Sequence, residues 1–516
     1  MGFSSDALRP TATRLLCGIQ VVAWPDWRAS AIAKFLTEAR ARLTELLETL
    51  PVDGSSFRKL EEQMHRMIGG CLDAVTAAAL GAAHFADEVL AQVDLLRTIE
   101  PELRLQDSKE IVSTRFLGGS VLPVSSPYLL RRPPRGPGRP RGRGRRGPAG
   151  NGIYPFLAVL GVQDRITPAL ASEIALQVAC GPQEQARSNL ARQGIDLSKK
   201  VLQRIVKGLG TQALAYRQKR IVTGLASELG DVSGVRIAIE TDGGRLRSRV
   251  PKLRGRKRAS GRRGFDAPWR EPKVITVYEV DAEGRKQKKG GFRYHDATMG
   301  DAEEAFELLT GVLRSVKANQ AEQWIVIGDG ARWIWTRIDE LITALGYEKS
   351  KVTEVVDLYH AREKLHEFAV EIRSFSKRQR TRWKNRMSAL LDNGELEKME
   401  EEFSCFFKGC NSKVRRSLAA YFKKNAERMR YATFRAANIP LGSGAVESCV
   451  RRLVNLRMKG NGIFWRLENA ERLLFLRSQM LSGRWDAFID NILRPLQLQP
   501  DSGRHGTRDH AAAACM

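Results

Sequence analysis

Two aspartates stand where predicted strands end, and both have glycine as a neighbour. Asp242 follows the first strand of a predicted sheet, and Asp329 follows the fourth. If these strands are neighbours in a mixed sheet, both carboxylates emerge at one edge. Adjacent carboxylates are poorly tolerated at neutral pH unless a cation joins them, and oxygen ligands suit Mg²⁺ or Mn²⁺. Alone, each aspartate is better explained as a turn former, but together they predict a divalent metal site.

A third acid is needed to hold a second ion, and Glu447 is the candidate. It stands at the start of a predicted helix, just after the loop Gly442-Ser443-Gly444. Two divalent ions roughly 3.5–4 Å apart can activate an attacking oxygen and stabilise the leaving one during phosphodiester displacement. Alone, Glu447 is an ordinary surface acid. With Asp242 and Asp329 it completes a candidate two-metal site.

Four further side chains lie near these acids in the sequence. His360, three residues after Asp357, could pack where a strand meets a helix, or it could reach the metal site. We favour contact with a substrate phosphate, or orientation of the acids, over direct ligation, with Asp357 in a supporting role. Arg451 and Arg452 follow Glu447 by about one helical turn and are predicted to contact a nucleic-acid backbone. The alternative for Arg451 is an ion pair with Glu447.

The elements that must position these residues follow from the hydrophobic pattern after residue 234. Short β-branched runs predict five strands, and amphipathic stretches predict two helices between the later ones. The order is β-β-β-α-β-α-β, which describes a mixed sheet with helices on its faces and is the order of the ribonuclease H fold. The predicted strands are 235–240, 273–280, 291–298, 324–327 and 351–356, and the predicted helices are 302–316 and 333–345.

The charged segment 361–431 has a helical pattern without strand signals, and we interpret it as a helical insertion ahead of the helix that carries Glu447. A further helix is predicted at 467–480, and the tail after it at least partly as disordered. Four tryptophans of this half are interpreted as core residues rather than as platforms for nucleic-acid bases: Trp269, Trp324, Trp333 and Trp335.

The first half of the chain predicts helices and a basic linker. Residues 27–105 have apolar residues at helical spacing, typical of a bundle or a helical pair used for self-association. Residues 131–146 contain eight arginines with proline and glycine and no acid, which predicts an extended tether for DNA phosphates. Within it Arg139, Arg141 and Arg143 resemble a minor-groove AT-hook, a weak match.

Residues 166–210 predict three helices in which the last two form a helix-turn-helix. The turn is 194–197, and the predicted recognition helix is 199–209. Its exposed groups would meet phosphates and base edges, although an ordinary helical hairpin is the commoner structure. The predicted DNA-contacting residues are Lys199, Lys200, Gln203 and Arg204.

The charge balance supports a polyanionic partner. The 516 residues carry 85 Lys+Arg against 58 Asp+Glu, a net charge of +27. No run of 18 apolar residues occurs, which argues against a transmembrane helix and a membrane partner, and we find no secretory signal. The seven scattered cysteines include no C-x-x-C pair and indicate reduced thiols. These features predict a cytoplasmic protein, associated with the nucleoid when bound to DNA.

Several motifs resemble those of DDE transposases of bacterial insertion sequences, in the Mutator-like group that includes the Kra and Lre types. The resemblance covers roughly 150–485. It implies that Asp242, Asp329 and Glu447 are the DDE triad, and that Asp357 and His360 form the family's D-x-x-H signature. The N-terminal part contains no Cys-His zinc module, which departs from the family pattern. The matching segments are ETDGGRLRSR (240–249), WREPKVITVYEVDAEG (269–284), IGDGARWIW (327–335), VVDLYHAREKLHEFA (355–369), GSGAVESCVRRLVNLRMKGNG (442–462) and FWRLENAERLLFLR (464–477).

The resemblance implies cleavage at the ends of a DNA element and joining of the freed 3′-OH to target DNA, with two Mg²⁺ or Mn²⁺ ions. The partners are double-stranded DNA, as terminal repeats and target, and further copies of the chain. The alternatives are a domesticated, non-catalytic DNA-binding regulator and a nuclease of the same fold that cuts without joining. Intact acids in their motifs argue against the regulator.

The predicted fold class is α/β: a ribonuclease H-like mixed sheet with a large all-helical insertion, preceded by all-α N-terminal and helix-turn-helix regions. The predicted boundaries are 1–128 for the N-terminal helical region, 129–150 for the basic linker, 151–230 for the DNA-binding region, 231–368 for the first part of the core, 369–435 for the insertion, 436–485 for the helices that carry Glu447 and 486–516 for the tail.

Overall fold

The computed structural model describes residues 12–16, 19–23, 27–48, 51–131, 152–252, 254–255, 261, 263–288, 290–330, 332–409 and 411–493. The chain divides into two compact units. The first comprises Met1–Leu209 and Asp486–Met516, and the second comprises Gly210–Trp485. Two helices cross the division, one near residue 209 and one near residue 485.

The first unit contains helices and short antiparallel sheets. Its strands pair as β1–β2 and as β3–β4–β5. In chain order the elements are β1 (Ala12–Leu16), β2 (Ile19–Ala23), α1 (Trp27–Leu47), α2 (Gly54–Ala83), α3 (Asp87–Ile99), β3 (Leu103–Arg115), β4 (Val121–Arg131), β5 (Gly152–Ile153), α4 (Pro155–Val159), α5 (Pro168–Cys180), α6 (Gln183–Arg192) and α7 (Lys199–Tyr216).

The hairpin of β3 and β4 corrects the prediction of an all-helical N-terminal region. Along β3, Val112 and Thr114 are buried while Ile111 and Ser113 are exposed, which is the period-two alternation of a strand. The pattern is weak in the sequence because one buried position is polar and one exposed position is apolar. Two prolines in β4 also argue against a strand from sequence alone.

Helices α5, α6 and α7 surround one apolar core, as the helix-turn-helix prediction requires of its helices. Core residues include Leu170, Ile174, Leu190 and Leu202. Helix α7 continues beyond the predicted end at 209 and is followed by a π-helical turn, Arg217–Val222. The glycine at 210 does not end the helix: a side chain there would lie 2.9 Å from Cβ of Arg472, so glycine permits close packing.

Within the described residues one helix, α2, is long and apolar enough by length and composition to span a membrane, although it contains no unbroken run of 18 apolar residues. An 18-residue window has a mean hydropathy of 1.2 and is 17% buried. The helix also carries the buried carboxylate of Asp73, which accepts hydrogen bonds of 2.9 Å from the amides of Gly118 and Ser120 at the β3–β4 turn. Length and composition alone do not separate such a helix from one in a water-soluble protein.

The second unit is centred on a five-stranded mixed sheet. Its strands are β6 (Arg236–Gly243), β11 (Lys273–Val280), β12 (Arg293–Thr298), β13 (Gln323–Gly328) and β14 (Val352–Val356). Their order across the sheet is β12-β11-β6-β13-β14. Neighbouring strands are antiparallel from β12 to β6 and parallel from β6 to β14. The predicted mixed sheet, with its first and fourth strands adjacent, is confirmed.

Two short strand pairs follow β6 in the chain. They are β7 (Leu246–Arg247) with β10 (Trp269–Arg270), and β8 (Val250–Pro251) with β9 (Phe265–Asp266). All four strands are two residues long, and none was predicted from the sequence. They lie between β6 and β11 in the chain.

Helices complete the second unit. Around the later strands are α8 (Ala302–Ser315), α9 (Arg332–Leu345) and α10 (Leu358–Glu371). The segment predicted as an insertion is helical in its described residues, and α10 to α13 share an aromatic cluster of Phe368, Trp383, Phe403 and Phe422. The remaining helices are α11 (Lys377–Asn393), α12 (Leu396–Ser404), α13 (Ser412–Lys424), α14 (Tyr431–Ala436), α15 (Gly444–Val450), α16 (Leu456–Met458), α17 (Leu467–Leu481) and α18 (Trp485–Leu493).

Candidate active site

Three aspartates follow neighbouring parallel strands at the same edge of the sheet. Asp242 lies at the end of β6, Asp329 directly after β13 and Asp357 directly after β14. The register pairs Ile327 with Glu240, so that the aspartates two residues further along β6 and β13 come level with each other. The fold therefore brings Asp242 and Asp329 to one edge, as the sequence analysis expected.

Asp242 has a raised pKa, chiefly because its carboxyl group is largely buried. The negative charges of Asp329 and Glu271 raise the pKa further. The amide of Gly243, which donates a 2.7 Å hydrogen bond, and the charge of His360 oppose the shift. Asp242 is thus a partly desolvated carboxylate with other acids close by, an environment that a cation would stabilise.

Asp357 is fully buried and supports the start of α15. Its carboxylate accepts hydrogen bonds from the amide of Ser443, at the N-terminus of α15, and from the amide of His360 at 2.8 Å. Burial alone would raise its pKa, but the interactions with His360 and Ser443 outweigh burial and lower it to about 2. An ionised carboxylate therefore ties the end of β14 to the helix that carries Glu447.

Glu240, which the sequence analysis did not single out, makes the equivalent link from β6. Its fully buried carboxyl group accepts a 2.7 Å hydrogen bond from the amide of Val446 and one of 2.6 Å from the hydroxyl of Tyr278. Burial raises its pKa to about 7, against the effect of both hydrogen bonds. Val446 directly precedes Glu447, so Glu240 fixes the first turn of α15 to the strand of Asp242. The only sequence signal is an acid inside an apolar strand.

Tyr421 of α13 holds the loop of Asp329. Its hydroxyl donates a 2.8 Å hydrogen bond to the carbonyl oxygen of Asp329. Gly330 has φ of +84°, and a Cβ there would lie 2.7 Å from the ring of Tyr421, so the position admits only glycine without rearrangement. The predicted insertion thus contributes directly to the site, which its charged helical pattern did not reveal.

One group of described residues is arranged as a metal site would be: Asp357, His360 and Glu447. A potential ligand atom from each lies within 4.8 Å of the other two. The predicted metal ligands Asp242 and Asp329 are not members of this group. His360 connects the two sets, because its charge also acts on Asp242.

His360 has a pKa raised to about 9, mainly by Asp357, whose carboxylate oxygen lies 3.4 Å from the imidazole Nδ1. Burial opposes this shift. The Nδ1 atom is buried, and its contact with Asp357 is an ion pair without a well-directed hydrogen bond. An imidazole with a pKa raised in this way is a hydrogen-bond donor at neutral pH, which suits a negatively charged group such as a phosphate oxygen.

Glu447 and the arginines after it lie on one continuous helical segment. Glu447 is exposed in the first turn of α15, and residues 451–455 form a π-helical turn. Arg451 is exposed, and within the described chain no ion pair joins it to Glu447. Arg452 is partly buried and bonds to the carbonyl of Ser448. Single π-helical turns inside helices occur frequently at functional sites.

The predicted DNA-contacting residues of α7 are all exposed. Three of them contact neighbouring polar side chains in the first unit: Lys199 lies 3.8 Å from Glu184, Gln203 bonds to Gln183 at 2.9 Å and Arg204 lies 3.0 Å from Asp164. Exposed pairs of this kind are weak. Arg139, Arg141 and Arg143 lie outside the described residues.

The tryptophans that the sequence analysis assigned to the core differ in their exposure. Trp324 and Trp335 are buried, at 0% and 5% exposure, as predicted. Trp269 is 50% exposed, so its assignment to the core was wrong. The side chain of Trp333 lies outside the described part of the chain.

No protein-family model and no curated protein matches this chain. Among solved structures, the chain is similar to the Drosophila P element transposase strand transfer complex, with 15% sequence identity. The match covers 65% of this chain and 83% of that chain, with a TM-score of 0.21. A likeness at this TM-score carries no argument about fold or activity.

Proposed function

We propose that the chain is a DDE transposase with a ribonuclease H-like core, which cleaves DNA at the ends of its element and joins the freed 3′-OH to target DNA. One observation carries the proposal: the strand of Asp242 and the helix of Glu447 are joined through buried Glu240 and Val446, beside the strand that leads to Asp329. The strand order supports the fold, and the sequence motifs support the Mutator-like group.

The donor set fits divalent cations. Asp242, Asp329 and Glu447 offer carboxylate oxygens, which Mg²⁺ and Mn²⁺ prefer. The imidazole of His360, whose Nδ1 faces Asp357, lies beside these donors, and its raised pKa makes it a hydrogen-bond donor and not a metal ligand. Two bound ions would supply stabilisation of negative charge on the attacking and leaving oxygens. We assign the ions to the three acids, and Asp357, which is occupied by amides of α10 and α15, to support.

The sheet and the helices of the second unit fix the positions of the three acids. Asp242 and Asp329 lie at the ends of paired strands, so their separation is set by the sheet. Glu447 projects from a helix end held by Glu240 and Asp357. A site built on such rigid elements avoids reordering its groups during the reaction. The protonated imidazole of His360 would donate to a phosphate oxygen, and Arg451 would hold the strand's backbone.

The proposed partner is double-stranded DNA, as element ends and as target. The net charge of +27 and the exposed basic residues of α7 support this partner. Assembly of several copies on DNA and a cytoplasmic location belong to the same proposal. No covalent protein–DNA intermediate is needed, since water and then the DNA 3′-OH can act at one site.

The test replaces each acid by its amide: Asp242→Asn, Asp329→Asn and Glu447→Gln. Each change keeps the side-chain volume and removes one negative charge, so cleavage and joining should each fall by orders of magnitude. A double change should add little to a single one. His360→Ala should be milder, about 10–100-fold. The assay follows a labelled duplex from the DNA flanking the coding sequence, with Mg²⁺ or Mn²⁺, and binding to the same duplex without either ion.

The outcomes separate the alternatives. Cleavage without joining would identify a nuclease, and binding without cleavage would identify a regulator. Full activity of the Glu447→Gln variant would remove Glu447 from the site, and Glu468 and Glu471 would be tested next. Glu471 already forms an ion pair with Arg217, so Glu468, which is 80% exposed in its side chain, is the freer of the two.

A further inference from the structure

We propose that an exposed basic and aromatic surface beside the candidate active site binds an unpaired stretch of DNA, with a base stacked on Trp269. This surface, the Trp269 platform, consists of Arg245, Arg247, Arg249, Trp269 and Lys459. The inference rests on the proposed function for its choice of DNA as the ligand. It adds a binding site, and a preference for unpaired DNA, that the triad does not supply.

The arginines of the platform form a regular row. Between residues 245 and 249 the three arginines are exposed, whereas Leu246 and Ser248 between them are buried. The segment is extended: β7 pairs with β10 on one side, and the backbone of Arg247 and Arg249 bonds to Trp465 on the other. Alternate residues of a strand are about 6.6 Å apart, close to the distance between successive phosphates of an extended nucleic-acid strand.

Trp269 lies directly opposite Arg247 in the β7–β10 pair. The indole is 50% exposed, the guanidinium carbon of Arg247 lies 4.9 Å from its ring centre, and the ammonium nitrogen of Lys459 lies 5.9 Å from it. Within the described residues no carboxylate forms an ion pair with Arg247 or Lys459. A half-exposed indole among uncompensated cations matches the stacking surfaces of proteins that bind single-stranded nucleic acid.

The stacking geometry selects unpaired bases. In a duplex both faces of an internal base are covered by neighbouring base pairs, so only a base that has left the helix offers a free face. Arg247 and Lys459, which lie over the indole ring here, would then move off its face to hold the phosphates on either side of that base. Duplex DNA can meet the arginine row but cannot use the indole.

The platform is continuous with the elements of the candidate site. Arg247 follows Asp242 by five residues, and Lys459 follows the π-helical turn that continues α15 beyond Glu447. Trp269 precedes β11, in which Lys273 pairs with Gly243. A strand laid across the platform is therefore bound by chain segments that begin at both Asp242 and Glu447. The unpaired DNA on the platform would therefore lie next to the phosphodiester bond that is cut under the proposed function.

The experiment compares the Trp269→Ala and Trp269→Phe variants in EDTA, so that no cleavage occurs. The probes are a blunt duplex, the same duplex with a single-stranded 3′ extension, and a single strand carrying 2-aminopurine. Trp269→Ala should weaken binding to the two probes with unpaired bases by about 5–100-fold and leave blunt-duplex binding unchanged. Trp269→Phe should retain most of the affinity. Quenching of 2-aminopurine should be lost only in the alanine variant.

A matched control is Phe407→Ala, which removes another aromatic ring with an arginine 5.9 Å from its centre, Arg416, in the helical segment between β14 and α15. It should bind every probe normally. The proposal would be wrong if Trp269→Ala bound the probes with unpaired bases as tightly as wild type. It would also be wrong if Phe407→Ala lost as much affinity for these probes as Trp269→Ala, or if the protein bound RNA more tightly than DNA of the same sequence. Activity that survives the Asp242→Asn change would defeat the proposed function instead, without changing binding in EDTA.

Discussion

At the scale of single residues, the site contains two kinds of carboxylate. Asp329 and Glu447 are exposed and Asp242 is partly buried, whereas Glu240 and Asp357 are fully buried and hydrogen-bonded to backbone amides. The first kind can meet a ligand, and the second kind determines where the first kind sits. The sequence identified the first kind by position and glycine neighbours. It could not identify Glu240, because a hydrogen bond to the amide of Val446, 206 residues further along the chain, leaves no local pattern.

Replacing Glu240 tests this division. Glu240→Ala leaves the amide of Val446 and the hydroxyl of Tyr278 without their acceptor in a buried place, and should lower the free energy of unfolding by about 2–4 kcal/mol. Glu240→Gln retains an acceptor and nearly the same volume, and should cost less than about 1 kcal/mol. Denaturant titration of each variant measures the difference. The exposed Glu283→Ala, in a turn of the same sheet, serves as control and should be neutral. Equal stability of Glu240→Ala and wild type would contradict the link.

Tyr421 provides the second test at this scale. Tyr421→Phe keeps the ring that covers Gly330 and removes only the hydrogen bond to the carbonyl of Asp329. Under the proposed function, the carboxyl group of Asp329 would be less well positioned, so DNA cleavage should fall by about 10-fold, in the range seen for partners that orient metal ligands. DNA binding without metal should not change. A Tyr421→Phe variant that cleaves DNA as fast as the wild-type protein would show that other contacts hold the loop of Asp329.

At the scale of elements, strands and helices with a regular hydrophobic pattern could be predicted from the sequence. Elements without such a pattern could not. The five strands of the sheet and the helices between them were found because β-branched runs and amphipathic stretches alternate after residue 234. The β3–β4 hairpin was missed because its buried positions include Thr114 and Ser126. The short strands β7 to β10 were missed because two-residue pairs carry no periodicity. Because β10 was missed, Trp269 was assigned to the core, although β10 leaves its side chain on the surface.

His84, the residue that caps the C-terminal end of α2, makes the stability of the first unit sensitive to pH. Burial lowers its pKa from 6.5 to about 4, and its ring lies 5.0 Å from that of Phe156. The neutral form is favoured in the folded state, so stability is full above pH 6.5 and falls as the pH drops from about 6.5 to about 4, because the unfolded chain takes up a proton first. The loss should reach about 3 kcal/mol.

The measurement is the free energy of unfolding of the first unit's helices between pH 7 and pH 4. His84→Leu should remove this part of the acid sensitivity. His65→Leu, which changes an exposed histidine of α2, should keep it. The same slope in the His84→Leu and wild-type proteins would assign the effect to other groups.

At the scale of the whole molecule, charge is the feature that the sequence determines most directly. A net charge of +27 predicts DNA affinity that falls steeply with salt. Replacing the eight arginines of 131–146 by glutamine should weaken binding to all sequences about equally and reduce the salt slope by several units, since each phosphate contact contributes about 0.9. Changing Gln203 or Arg204 should alter the preference for element ends instead. Filter-binding at several salt concentrations, with specific and random duplexes, measures both. If neither the 131–146 variant nor the Gln203 and Arg204 variants changed DNA binding, the DNA-binding surface would lie elsewhere on the protein.

The division into units has a consequence for the order of synthesis. The first unit is discontinuous, because helix α18, which belongs to it from Asp486 onward, is made only after the second unit. Leu493 of α18 then lies against Gly161, where an added Cβ would be 3.1 Å from the leucine side chain. On the ribosome, Asp242, Asp329, Asp357 and Glu447 therefore emerge and can reach their places before the first unit receives its last helix. A nascent chain stalled shortly after residue 485 would hold all four acids while its first unit still lacks α18.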